Sequence, residues 1–277
     1  MRTLGITTPA ELRQADHKAV IAWERYMRET EHAASSTIRQ RLAALSSLYK
    51  HLVRHDHAVR NPVGEVERPA INRDEGSTLA FSKPQARKML DAPAEDTVAG
   101  LRDRAILSVG LQVGLRRAVI AALTVGDLHQ NRGYDSLRVM GKGGRRDALA
   151  INPQTAARLR AHLEASGHGA DIGGPLFRPL RHNGKRREER RGMDPDVIDR
   201  VVRKYAAALG LDRGYSAHSM RATFITTALE NGAQLEDVQK AAGHRDPGTT
   251  MLYDRRAYNP EKAASFFCDV LMVKAFV

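Results

Sequence analysis

SLRVMGKGGRRDALAI, residues 136–151, is the stretch on which the fold turns, because here the spacing of apolar residues changes from helical to alternating. Two short strands joined at Gly141-Lys142-Gly143-Gly144 form a hairpin with a glycine-rich turn. On both sides of this hairpin the chain is helical. Upstream, Ser82 followed by Pro84 starts a helix over 81–92, and helical spacing continues over 101–114 and 114–128. Downstream, helices are expected over 153–166 and 194–209, then as a pair over 216–231 and 234–242 closed by Gly232 and Gly243, and last over 260–277. Further toward the N-terminus, one or two helices span 8–29. A longer helix capped by Ser36 then carries Ile38, Leu42, Leu45, Leu48, Tyr49 and Leu52 on one stripe. The polar segment ERPAINRDEGST, 67–78, has the composition of a linker. The expected organisation is two domains, residues 1–76 and 77–277, in a mainly α chain with a small antiparallel sheet.

Composition narrows the function classes. Apolar residues make up 42% and charged residues 27% of the 277, enough for a core and too polar for a membrane protein. Met1 to Gln14 holds no apolar stretch of the signal-peptide kind, so a cytoplasmic location is expected. One cysteine, Cys268, excludes a disulfide framework and a Cys-rich zinc site. The formal charge of +12 and a pI near 10.1 favour a polyanionic partner. Residues 1–76 carry 12 Lys/Arg against 10 Asp/Glu and residues 77–277 carry 32 against 22, so the C-terminal part should grip that partner harder.

Two segments hold the residue types that chemistry on a phosphate needs. In YSAHSMRATFITTALENG, 215–232, Ser216 caps a helix, and His218 and Arg221 sit three apart near its N-terminus, where a phosphate is favoured. In GHRDPGTTMLYDRR, 243–256, Gly243 ends a helix, His244 follows, and Tyr253 stands nine residues beyond it. A tyrosine hydroxyl, with a pKa near 10, attacks phosphorus only beside a base and cations that favour its anion. Lys142 is not part of a nucleotide-binding P-loop: Ser136 replaces the first glycine, and Gly143 stands where a Ser or Thr must follow the lysine.

In this set of residues the chain resembles the tyrosine recombinase, or phage integrase, family. The family order is met by Arg116 after Gly114-Leu115, Lys142 in the hairpin, His218-x-x-Arg221, His244 after Gly243, and Tyr253. The resemblance implies a small helical core-binding domain followed by a mainly helical catalytic domain containing a small sheet. It implies site-specific cleavage and rejoining of duplex DNA through a 3′-phosphotyrosine, with no metal and no cofactor. The chain would be a monomer or weak oligomer alone and a tetramer on paired DNA sites. Arg116 and Arg221 would hold the phosphate oxygens, Lys142 would protonate the leaving oxygen, His218 would relay the tyrosine proton and His244 would hydrogen-bond the phosphate. A type IB topoisomerase-like relaxing enzyme and a catalytically impaired DNA-binding regulator are the alternatives.

Four features fall outside that core pattern. Val119 stands three residues after Arg116, where the family has an acidic residue, which implies slow cleavage. About 25 residues precede the 36–56 helix, which implies a helix set shorter than the family's. The tail after Pro260 places Phe266, Val270, Val273 and Val277 on one stripe, suited to packing on its own domain or docking in a neighbouring subunit. Between Arg178 and Arg191, seven Lys/Arg against two Glu make either a phosphate-contacting loop or a solvated one. His51, His55 and His57 are expected at an exposed helix end, and Asp194, Asp196 and Asp199 at a helix start, rather than around metals.

Overall fold

A computed structural model describes residues 5–70, 78–140, 146–180, 190–211, 214–244 and 246–254. The chain separates into two compact units, Met1–Arg73 and Asp74–Val277. Among the described residues no helix is long and apolar enough to cross a membrane.

The first unit holds helices α1 (Pro9–Gln14), α2 (His17–Glu29) and α3 (Ser35–Arg54). Thr8 and Glu11 form a capping box ahead of α1, and Asp16 caps α2. Helix α3 is capped two residues earlier than expected, at Ala34 rather than Ser36, and Ala34 makes no side-chain bond there. Burial explains why the helix forms regardless: Ile38, Leu42 and Tyr49 pack with Val20, Met27 and Val63 into one core. The Tyr49 hydroxyl donates to the Leu12 carbonyl, and Asn61 Nδ2 donates to Ser46 Oγ at 2.9 Å, tying the turn at Pro62 to α3. His51, His55 and His57 are exposed at the end of α3.

The second unit is arranged about α5 (Val98–Gln112), whose Ile106, Leu107 and Val109 are fully buried. Helices α4 (Lys83–Asp91), α7 (Pro153–Ser166), α8 (Pro195–Ala208) and α9 (Ala217–Glu230) pack against it. Ser82 and Gln85 box the start of α4, Asn152 caps α7, and Asp194 caps α8. A buried carboxylate links two of these elements: Asp103 on α5 accepts from Arg102 at 2.8 Å and from the Tyr205 hydroxyl of α8 at 3.0 Å. His162 and His168, both buried, each place Nε2 3.1 Å from the Leu176 carbonyl.

The helix expected over 114–128 is shorter than its spacing suggests. Helix α6 (Arg117–Ala122) stops where the Leu123 carbonyl accepts from Leu176 N at 2.8 Å and Val125 N donates to Gly174 at 2.9 Å. These bonds to another segment replace the intrahelical ones. Asp127 and Thr124 then close a 3-10 turn into strand β1 (Leu128–Asn131), which the helical spacing does not announce. Strands β2 (Tyr134–Met140) and β3 (Arg146–Ala150) complete an antiparallel sheet of order β1-β2-β3, in which Leu137 faces Leu149 and Val139 faces Asp147. After α9 come α10 (Leu235–Ala242) and the five-residue α11 (Pro247–Met251), the latter outside the expected set of helices. Residues 260–277, with Cys268, lie outside the described residues.

Candidate functional site

Four of the six candidate residues stand on elements that meet around one helix end. Arg221 sits in the second turn of α9, which Ser216 starts by accepting from His218 N at 3.2 Å. Its guanidinium is buried at 6% exposure and forms a latch between two backbone turns. Arg221 Nη1 donates to the Gly114 carbonyl at 2.7 Å, and Nη2 donates to the Ala242 carbonyl at the end of α10. Arg116, exposed just ahead of α6, donates through Nη2 to the Gly243 carbonyl at 3.2 Å. The neighbouring Arg117 is engaged elsewhere, with Asp196 of α8 at 2.9 Å.

Both turns need glycine. Gly243 caps α10 in the left-handed region at φ 60°, and Gly114 ends the α5 segment at φ 73°. A Cβ on Gly114 would also run into the Phe224 ring of α9. Gly114 is a functional residue in this sense: its carbonyl is presented to Arg221 only because the chain can turn there. Its place before Leu115-Arg116 is visible in the sequence, but Phe224 as its neighbour is not.

His244 follows the Gly243 turn, half-buried, with Nδ1 2.9 Å from Thr250 Oγ1 of α11. Its ring lies nearly parallel to that of Tyr253, with centroids 6.5 Å apart. Tyr253 is held by Tyr253 N donating to the Thr250 carbonyl at 3.1 Å, and it packs against a small cluster of Ile225, Leu229, Val238 and Ala242. His218 is exposed in the first turn of α9. Lys142, in the hairpin turn, lies outside the described residues.

The electrostatics follow from burial and like charge. Burial first, and then the charge of Arg116, pushes the Arg221 guanidinium down to about 10, with Tyr253 opposing. At neutral pH it remains a cation. Burial, then Arg221 and Arg116, holds His244 down to about 4, so its imidazole is neutral at physiological pH. Neutral His244, a locked cation and a second, exposed cation around one tyrosine make a place for an anion that gains charge during reaction.

The basic stretch from Arg178 to Arg191 is anchored at both ends by one carboxylate. Asp171 accepts from buried Arg178 and from Arg190 at 2.6 Å; residues 181–189 lie outside the described residues. Asp194 and Asp199 serve the backbone, accepting from Asp196 N at 2.8 Å and Ala217 N at 2.9 Å. Among the described residues, no three His, Cys, Asp or Glu side chains gather as a metal-binding set.

Comparison with known proteins gives three kinds of likeness. The phage integrase family model matches residues 80–259. Tyrosine recombinase XerC of Pelobacter propionicus is 32% identical over 214 residues, covering 77% of this chain and 67% of the relative. XerC of Myxococcus xanthus is 34% identical over 228 residues, covering 81% and 72%, and XerD of Listeria monocytogenes 26% over 253, covering 90% and 80%. In fold, the chain is similar to XerH site-specific recombinase bound to a difH substrate, with TM-score 0.66, 15% identity and coverage of 93% and 72%. It is also similar to a lambda integrase dimer bound to a COC′ core site, with TM-score 0.62, 15% identity and coverage of 90% and 67%.

Proposed function

The chain belongs to the phage integrase family of tyrosine recombinases, and from that premise we propose that its site-specific recombination runs through Tyr253 as nucleophile. The Tyr253 oxygen bonds to a backbone phosphorus of DNA as the bond from phosphorus to the 5′-oxygen breaks, leaving a 3′-phosphotyrosine and a free 5′-hydroxyl. His218 takes the tyrosine proton, and Lys142 gives one to the departing oxygen. The energy of the phosphodiester is kept in the new ester, so the reverse attack rejoins a strand without ATP.

Arg221 and Arg116 hold the two non-bridging oxygens, whose charge grows in the transition state. A guanidinium already fixed by two carbonyls loses little freedom in doing so. His244 is neutral, with Nδ1 2.9 Å from Thr250 Oγ1; in the tautomer this reading uses, the hydroxyl donates to Nδ1 and the ring proton sits on Nε2, where it donates to the phosphate. The observation that carries this reading is the convergence of Arg221, Arg116 and His244 on the ends of α9 and α10 beside Tyr253.

In this reading residues 1–76 are a DNA-contacting module and residues 77–277 the catalytic one. The excess of positive charge in the larger part makes the affinity fall steeply with salt. The partner is duplex DNA carrying recombination sites, two of which are brought together by a tetramer of a chain that is monomeric or weakly associated when free.

Incubation with a nicked suicide duplex, from which the 5′ fragment diffuses away, tests the chemistry. The wild-type chain accumulates a covalent adduct, and Tyr253→Phe binds the same duplex without forming one. An adduct at wild-type yield from Tyr253→Phe removes the assignment. A two-site exchange assay then separates a recombinase, which swaps flanks between duplexes, from an enzyme that only relaxes supercoils.

A further inference from the structure

Strand β3 carries an acid where its pattern calls for an apolar residue. Cross-strand partners in an antiparallel pair share a face, and so do residues two apart. Leu137 faces Leu149 and Val139 faces Asp147, so these four side chains, with Ile151 beyond them, lie in one row. Leu137, Val139 and Ile151 are buried members of the main core and Leu149 packs against it. A carboxylate in such a row gives up hydration, and a cation nearby offsets that cost.

Three cations, Arg116, Arg221 and Lys240, line the cleft that Asp147 also lines. Asp147 opens into a narrow cleft of about 50 Å³ that it shares with Val119, Val139, Arg116, Arg221 and Gly243. Asp147 is the one acid among the described residues lining it. Arg116 and Arg221 are both bonded to backbone carbonyls there, and like charge sets them against each other. A negative charge in the same cleft lowers that repulsion and biases where the exposed Arg116 points.

We propose that Asp147 is a positioning residue for the recombination reaction: from β3 it supplies the carboxylate that aligns Arg116 and Arg221, a service that apolar Val119, across the same cleft, cannot perform. The inference rests on Arg116 and Arg221 being the phosphate-holding cations. It revises the expectation attached to Val119, since the cleft holds an acid although α6 does not provide one.

Three variants and two readouts test it. On the nicked duplex under single-turnover conditions, Asp147→Asn slows covalent-complex formation about tenfold, the scale of one charge-assisted hydrogen bond. Its DNA affinity stays level or tightens, because a negative charge near phosphates has been removed. Asp147→Glu, which keeps the charge, retains most of the rate, and Val119→Glu added to Asp147→Asn restores it. A residue with a purely structural role would lower rate and melting temperature together and would not be rescued from α6. Wild-type cleavage by Asp147→Asn overturns the proposal, as does a loss that Val119→Glu leaves unchanged. The second readout does not depend on activity: a double-mutant cycle of Asp147→Asn with Arg116→Gln on the thermal midpoint of the full chain. Non-additive shifts support the pairing even if the wild-type chain forms no adduct and the Tyr253 reading falls, whereas additive shifts sink it.

Discussion

Arg221 stands on a helix with nine buried residues along fourteen positions, whereas Tyr253 follows a helix of five residues and rests on a cluster with four buried side chains. At the arginine end, α9 packs on α5, and the guanidinium is pinned by two carbonyls from different segments. At the tyrosine end, the contacts among the described residues include the His244–Thr250 bond, the stacked His244 ring, the bond from Tyr253 N to the Thr250 carbonyl and one of 3.4 Å from the Thr226 hydroxyl of α9 to the Tyr253 carbonyl. Less buried apolar surface means a smaller free energy of local opening. Among the described residues, the half of the site that the proposed reading gives to the phosphate is therefore the more firmly held, and the half it gives to the nucleophile the more easily opened.

The largest effect should come from breaking the rigid end. Gly114→Ala forces a side chain into the left-handed region and into the Phe224 ring, at a cost of about 4 kcal/mol in stability. Urea unfolding of the full chain measures it, and a change below about 1 kcal/mol would mean that the turn is less constrained than its neighbours imply.

Acid should weaken the same core through a buried imidazole. Burial holds His162 down to about 4 despite its bond to the Leu176 carbonyl, while the unfolded chain takes up that proton near pH 6.5. Its contribution is complete above pH 6.5 and is lost as pH falls toward 4, by at most about 3 kcal/mol. His162→Gln should flatten the stability profile across that window; an acid slope equal to the wild type's would remove His162 as its cause.

The smallest effect should come from the tyrosine end. Thr250→Val deletes the hydroxyl beside His244 at a fully buried position, and cleavage should slow about fivefold with roughly 1 kcal/mol of stability lost. If Thr250→Val destabilises the protein as much as Gly114→Ala, the contrast between the two ends is gone.

Much of this site can be read before any coordinates, because its residue types come in a fixed order and sit at helix ends that glycine and serine announce. Gly243 after α10, Ser216 before α9 and Ser82 before α4 are all local signals, satisfied by bonds a few residues away. What cannot be read depends on distant partners. Strand β1 exists because Leu123 and Val125 bond to Leu176 and Gly174 rather than continuing α6. The five residues of α11 are too few for a period to show. Arg178 opens a basic run that reads as either a phosphate-contacting loop or a solvated one, yet it is buried and Asp171 claims it. Asp147 gives no sign of the role proposed for it, since the alternation of β3 says which face it occupies but not that Arg116 and Arg221 line the same cleft.

The Arg221 latch also fixes how this protein can be lengthened. Arg221 and Gly114 are 107 residues apart in the chain, yet one guanidinium sets the distance between their backbones. Between them the chain can vary in contour length only where it is not itself bonded into the core, and doubling such a flexible connection costs only about 0.6 kcal/mol in closure entropy. The connection from α7 to α8 is not such a place near Gly174 and Leu176, whose bonds to Val125 and Leu123 set the turn into β1: a peptide grafted there would shift the sheet along with the outline of the molecule.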